Sequence, residues 1–302
     1  MKFSKKDSIV IIGAGKIAYS LAPALIDSGY NIQSIISNNE EDARILASKL
    51  KIKHYSNNPG SLRIDKGIFI LSVPDNQIIK TAEQLSNLKI DFPHSLFIHL
   101  SGSYDASLLK RIAGKKGYTA SFHIMQTFPS RKKRSITNSF SAIETISNEA
   151  NDYLFKLSKN LKLNPFRLKS GNKVLYHLAG VYASNFINAS LFQSQQLFEM
   201  SGIKEYSFND IFAPIFLSTA HNIKKNSPAK ALSGPVERGD LDTIKKHIRE
   251  IKRLHVKMPD LLYSYLSSSL LLIDASLVKF GKLTESHHEI KKMLLKELSE
   301  LK

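Results

Sequence analysis

The sequence predicts an α/β fold: a doubly wound parallel sheet in the first half of the chain, followed by an all-helical second domain. Three observations predict it. Ser8-Ile9-Val10-Ile11-Ile12 has the β-branched, apolar character of a buried strand, and it runs straight into Gly13-Ala14-Gly15-Lys16-Ile17-Ala18 and a helix-patterned segment ending near Gly29. Short apolar runs then alternate with helix-patterned segments as far as Leu168. From Ser170 onward the apolar residues fall at helical spacing, with no strand signal of comparable strength.

The first strand, glycine turn and helix together form a dinucleotide-binding fingerprint, so the sheet is expected to be Rossmann-like. Asn31–Ile36 is the second strand, Glu41–Leu50 a helix, and Lys53–Tyr55 a short strand. Gly67–Val73 is a strong strand closed by Pro74-Asp75, and a helix follows through Leu85. Ser95–Leu100, Tyr118–His123 and Phe140–Thr145 are further strands. A helix from Glu149 and a short strand near Pro165–Leu168 complete this domain, taken as residues 1–169. The second domain, residues 170–302, carries helices over Lys173–Met200, Ser207–Lys224, Leu241–Arg253, Asp260–Val278 and Glu285–Leu301. Leu261–Val278 offers more apolar surface than one small domain can bury, which points to a homodimer.

A chain of 302 residues accommodates two domains with substantial cores. Leu262–Leu272 is broken by serines and tyrosines, so no run approaches the ~18 apolar residues of a membrane span, and no membrane partner is expected. The N-terminal stretch Met1–Asp7 passes too soon into the glycine turn to read as a signal peptide. With no cysteine there is no disulfide framework, thiolate nucleophile or cysteine metal site, and a cytoplasmic location is expected. The net charge of +17 raises a nucleic-acid reading, which would predict steeply salt-dependent binding. The lysines, however, are scattered along helices, and neither an aromatic platform nor a zinc knuckle accompanies them, so no nucleic-acid partner is expected. Arg131-Lys132-Lys133-Arg134 is the dense cluster, read as a solvated loop with attraction of an anionic ligand as the alternative.

In the fingerprint, Gly13 permits the tight turn, Gly15 lets the backbone approach a pyrophosphate, and Ala18 keeps helix and strand close. Gly13, Ala14, Gly15, Lys16 and Ile17 are thus the expected phosphate cradle, at a helix N-terminus whose partial positive charge suits an anion. The acidic residue expected about twenty positions on, which reads the ribose of NAD, is missing from the second strand's tip. Ser37, Asn38 and Asn39 stand there instead, with Arg44 or Lys49 as nearby cations and no arginine at the tip itself. The cofactor expected is therefore NADP, with NAD less favoured.

Ligands of such sheets bind beyond the carboxyl ends of the strands. Three polar clusters occupy such ends: Ser72-Val73-Pro74-Asp75, His99 through Ser103, and Ser121-Phe122-His123. Ser72 and Asp75 read equally as helix caps or cofactor contacts, and Ser101 and Ser103 as turn residues or site residues. His99 reads as a core histidine, and His123 as a site candidate. On the long helix, Lys173, His177, Ser184, Asn185 and Asn188 fall within an arc of about 120°, a polar stripe that is either a solvent face or a cleft lining, its poverty in charge favouring the cleft. There His177 is a natural proton donor, because imidazole titrates near neutral pH. Lys173 is the other candidate donor, or a holder of substrate carboxylate, and Asn185 would orient a carbonyl. His287-His288 lies on a charged helix and is expected to be exposed. No HExxH, paired cysteine or carboxylate cluster suggests a metal.

Four segments, His99–Ser103, Ser121–Phe128, Tyr176–Asn185 and Leu232–Asp240, resemble a family of NADP-dependent oxidoreductases that join a Rossmann-like domain to a helical domain of unassigned role. The family is similar to ketopantoate reductase, pyrroline-5-carboxylate reductase and the β-hydroxyacid dehydrogenases. The resemblance implies that a lysine and an asparagine of the long helix act on substrate. Lys173, His177 and Asn185 occupy that helix with a different spacing, which raises His177 over the lysine. Ile124 stands where the family usually has proline after the histidine. Ser233-Gly234-Pro235 reads as a turn before a helix capped by Asp240, with Arg238 available for an acidic substrate or a salt bridge. The resulting expectation is hydride transfer to a small carbonyl or imine compound carrying a carboxylate, such as a keto acid or cyclic imine. The rival is a non-catalytic NADP-binding regulator or scaffold.

Overall fold

The computed structural model describes residues 3–301 apart from 63, 65, 88–92 and 255, so Met1 and Lys2 of the basic N-terminal stretch lie outside the described residues. The chain divides into two compact units, Met1–Ile187 and Asn188–Lys302. Strand character ends near residue 168, where the sequence places its boundary, but the division between compact units falls inside the long helix that follows.

Unit 1 runs β1 (Ile9–Ile12), α1 (Ala18–Asp27), β2 (Ile32–Ile36), α2 (Glu40–Leu50), β3 (His54–Ser56), β4 (Ile68–Leu71), α3 (Ile78–Asn87), β5 (Leu96–His99), α4 (Lys110–Ala113), β6 (Tyr118–Ile124), β7 (Phe140–Glu144), α5 (Asn148–Asn160) and β8 (Asn164–Arg167). The strands form one sheet in the order β3-β2-β1-β4-β5-β6-β7-β8. β1 pairs with both β2 and β4, which makes its carboxyl end the point where the winding direction reverses. Side-chain alternation sorts β1 between two cores. Ile9 and Ile11 pack with Leu21 and Leu25 of α1, while Val10 and Ile12 pack with Ile78 and Leu85 of α3. Burial on both faces explains why these strands read as continuous apolar runs rather than alternating ones.

The sheet is not wholly parallel. β7 runs antiparallel to β6, with Phe122 opposite Ile143, and β8 is parallel to β7. An antiparallel return needs no crossover helix, so residues 125–139 instead form a connection at the carboxyl end of β6. That connection is not a free solvated loop. The Arg131 guanidinium donates to both Asp42 carboxylate oxygens, Lys133 pairs with Asp27, the Arg134 N–H donates to Ser20 Oγ, and Ile136 is buried in the core. β6 itself continues through Ile124, which is buried and pairs with Ser141; an ordinary strand residue replaces the turn a proline would favour.

The remaining elements are α6 (Lys173–Met200), α7 (Phe208–Lys225), α8 (Pro228–Ala231), α9 (Pro235–Arg238), α10 (Leu241–Arg253), α11 (Leu261–Phe280) and α12 (Glu285–Ser299). The sequence did not signal α8. Ser233-Gly234-Pro235 is a turn that passes directly into α9, and Asp240 caps α10 by accepting from the Thr243 N–H. In unit 2, Ile244, Ile248 and Ile251 of α10 meet Leu262, Leu266 and Ile273 of α11 and Ile290 and Leu294 of α12. Each such burial stabilises the fold by roughly 1.5–3 kcal/mol. By length and composition α11 is apolar enough to cross a membrane, since its serines do not lower its mean hydropathy far enough to fail that test. Its buried face nevertheless packs in this core.

His287 is a correction: it is buried, not exposed, whereas His288 is exposed. The His287 ring accepts at Nδ1 from the N–H of Thr284, closing a capping box on α12, and donates from Nε2 to the Glu237 carbonyl at 3.0 Å. Nδ1 thus caps α12, and Nε2 joins it to α9.

Candidate functional site

At the switch point, a cavity of about 180 Å³ is lined by Gly13, Ala14, Gly15, Ser37, Asn38, Ser72, Val73 and Pro74 among others. Lys16 and Ile17, predicted with them, are not among its lining residues; Lys16 is exposed at the start of the turn. Gly13 has a φ of +101°, and a β-carbon there would lie 2.4 Å from the Ser72 carbonyl oxygen. No other residue type satisfies both demands. The N-terminus of α1 has no side-chain cap and no acidic residue in its first turn, and Ser72 Oγ is buried without a hydrogen-bond partner. An uncapped helix end, a backbone cradle and an unsatisfied hydroxyl suit the pyrophosphate of a nicotinamide dinucleotide. Asn38 and Ser37 line the far end, while Asn39 is engaged as the cap of α2. Arg44 is taken by Glu41 at 2.6 Å, and Lys49 lies over the Tyr19 ring, so neither is among the lining residues. Arg131 supplies a cation there instead. A larger cavity of about 480 Å³ lies against Lys49, Lys132 and Lys133 and includes none of the glycine-turn residues.

From Pro74 on the cavity wall the chain passes to Asp75. Asp75 is not a helix cap: its carboxylate accepts from Ser101 Oγ at 2.6 Å and Ser103 Oγ at 3.0 Å. Ser101 Oγ also accepts from the N–H groups of Ser103 and Tyr104. With its hydroxyl so committed, Ser101 shapes the turn after β5. Ser101 is thus a turn former that stands beside the candidate site.

Gly102 follows, and its bare α-carbon lets two imidazoles approach. A β-carbon there would stand 2.6 Å from His177 Nδ1 and 2.9 Å from His123 Nε2. The two rings meet edge to face at 6.0 Å, and His123 Nδ1 shares a 3.0 Å hydrogen bond with Tyr176 Oη. Burial, reinforced by the positive charge of Lys173, pulls His123 down to about 4, so it is neutral near pH 7. His99, fully buried and accepting at Nδ1 from the Ser101 N–H, is likewise held at about 4 by burial and Lys173. It is the core histidine that its strand position suggested.

Lys173 lies beneath this turn, 1% exposed. Its ammonium donates to the Ser101 carbonyl at 3.0 Å and to Ser121 Oγ. Desolvation lowers it to about 8, opposed by the charges of Glu144, Asp105 and Asp75. The structure therefore brings Ser101, His123, Lys173 and His177 together, with His177 half-buried at the surface of the cluster and Lys173 at its floor. It does not bring Asn185 to them: that residue is exposed, eight positions farther along α6, or about 12 Å of helix rise. The apolar face of this part of α6 is also open, with Leu175 70% and Tyr182 58% exposed. Sequence reasoning placed Gly102 and Tyr176 in motifs without giving either a role, and read Arg131 within a basic cluster without locating it at the cavity. The adjacency of Tyr176 to His177 was the available hint for one of them; the others depend on contacts between segments far apart in the chain. Arg238 is exposed beside a cavity of about 500 Å³, and the ion pair in that region is made by its neighbour Glu237 with Lys279.

Residues 8–99 match the family of NADP oxidoreductases that are coenzyme F420-dependent, and residues 139–270 match a domain of unknown function, DUF2520. No curated relative matches the chain. Among solved structures, a protein of Bacteroides fragilis, provisionally designated an NADP oxidoreductase, is 24% identical, covering 92% of this chain and 99% of its own, with a TM-score of 0.71. A pyrroline-5-carboxylate reductase of Coxiella burnetii (15% identical, 95% and 98% covered) has a TM-score of 0.52. An imine reductase of Streptomyces aurantiacus (14%, 96% and 93%) has a TM-score of 0.56. These likenesses show a shared fold. The chain thus joins an NADP-oxidoreductase domain to a DUF2520 domain, and the oxidoreductase domain supports an NAD(P)-dependent reductase or dehydrogenase.

Proposed function

We propose that the protein reduces a small carbonyl or imine compound bearing a carboxylate, with NADPH as the hydride source, and that it works as a homodimer. The observation that carries this reading is the meeting of His123 and His177 over Gly102, linked to the dinucleotide cavity through Asp75. The bound dinucleotide supplies the hydride; the chain supplies orientation and the proton. His177, half-buried at the site surface, donates a proton to the substrate oxygen or nitrogen as negative charge develops there. His123, neutral and oriented by Tyr176, offers Nε2 to the same space. Lys173 holds the Ser101–Gly102 backbone in place and contributes positive potential beneath it, which favours an anionic substrate.

The test pairs binding with turnover. Calorimetric titration with NADPH and NADH comes first, followed by a panel of keto acids and cyclic imines with NADPH. His177→Ala is expected to lower kcat by about 10²–10⁴-fold, the usual contribution of a proton donor, while NADPH binding stays within about threefold. Unchanged turnover in this variant would remove His177 from the chemistry. Dinucleotide binding without turnover on any substrate would favour a regulator instead.

A further inference from the structure

We propose that Arg131 selects the 2′-phosphorylated dinucleotide, and that Asp42 is the carboxylate that holds it at the adenosine end of the cavity. The inference rests on the dinucleotide reading above and deepens it. The tip of β2 carries no cation of its own, and the first turn of α2 that follows contains Glu40, Glu41 and Asp42. A ribose 2′-phosphate, carrying nearly two negative charges at neutral pH, would be repelled by such a turn. Glu41 is offset by Arg44 on the exposed side of the helix. Asp42, which lines the cavity, is offset by Arg131 from 89 residues away. The two meet in a fork, Nη1 to Oδ1 at 2.5 Å and Nη2 to Oδ2 at 2.8 Å.

This fork has two consequences for recognition. It engages both oxygens of Asp42, so the cavity does not present the bare carboxylate that would favour an unphosphorylated ribose. It also fixes the guanidinium plane while using two of its five N–H groups, leaving three donors for a phosphate. Arg131 remains 49% exposed and lines the cavity together with Ser37 and Asn38. The carboxylate expected from the fingerprint is thus present, displaced into α2 and masked by a guanidinium.

The experiment measures calorimetric dissociation constants of the full chain for NADPH, NADH and 2′,5′-ADP, in wild type, Arg131→Met and Asp42→Asn. Melting temperatures serve as the control for folding. Wild type is expected to bind NADPH at least about tenfold tighter than NADH. Arg131→Met should lose about 10- to 100-fold in affinity for NADPH and 2′,5′-ADP, the range for charged hydrogen bonds, and hold or gain NADH affinity as Asp42 is unmasked. Asp42→Asn should keep the NADPH preference. Equal losses for NADPH and NADH in Arg131→Met would show a mere tether between the 125–139 connection and α2, and would overturn the proposal. A wild type that prefers NADH would overturn it too, leaving dinucleotide binding intact. Binding of neither dinucleotide would overturn the underlying functional reading along with it.

Discussion

At the residue scale, the site depends on what Gly102 lacks. Its neighbours Ser101 and Ser103 are tied to Asp75, so the turn cannot retreat, and His123 and His177 close over it from two other segments. Gly102→Ala therefore has to push an imidazole aside. A displacement of about 1 Å at a reacting group costs on the order of a hundredfold in rate, and that is the expected fall in kcat, with NADPH affinity nearly unchanged. Steady-state kinetics beside cofactor titration checks it; an alanine variant of wild-type activity would show that the imidazoles need not be where they are. His99 and His123 lead to a second expectation. Both are held near 4 in the fold, against about 6.5 in an unfolded chain. Below pH 6.5 the unfolded state takes up protons that the folded state refuses, so stability is fully present above that value and falls as the pH is lowered toward 4. The loss is about 2 kcal/mol per histidine, order of magnitude, read as a falling urea midpoint between pH 7 and 4.5. His123→Gln should remove about half of that dependence, with His99 keeping its share.

At the element scale, the antiparallel return of β7 has effects beyond the sheet. Because β6 and β7 need no crossover helix, residues 125–139 are free to reach α1 and α2, where Ser20, Asp27 and Asp42 fasten them. The sequence showed the basic cluster but not its partners, since pairing across 89 residues leaves no local pattern. The elements themselves were legible. The glycine turn between a β-branched run and a helix, and the shift from strand runs to helical spacing near residue 170, are local signals carried by neighbouring residues. Short elements such as α8 and α9 were less so, because four residues cannot display a period.

At the scale of the whole molecule, much of the helical surface is apolar and open. α7 has no buried residue, with Ile215 and Leu217 each 63% exposed, and α11 exposes Tyr263, Leu271 and Val278 opposite its buried face. Such exposed apolar side chains are what the proposed homodimer would cover. Light scattering is expected to give twice the chain mass at micromolar concentration. Replacing Leu217 and Leu271 by aspartate should shift that to the monomer, and a wild type monomeric throughout would refute the dimer.

The sequence by itself determined the class of fold, the phosphate-binding turn and the identity of the histidines, because each is written in residues adjacent in the chain. Tertiary structure decided which of them meet. Lys173, read as a proton donor or a holder of substrate carboxylate, is the buried floor of the site because β5 and β6 end above it. Asn185, on the same helix stripe, lies about 12 Å beyond His177 along the axis because a shared face is not a shared position. Arg131 stands beside the β2 tip, where the sequence has no arginine, because an antiparallel strand turned its loop back across the sheet. Local chemistry fixes what each residue can do, whereas long-range packing fixes its neighbours.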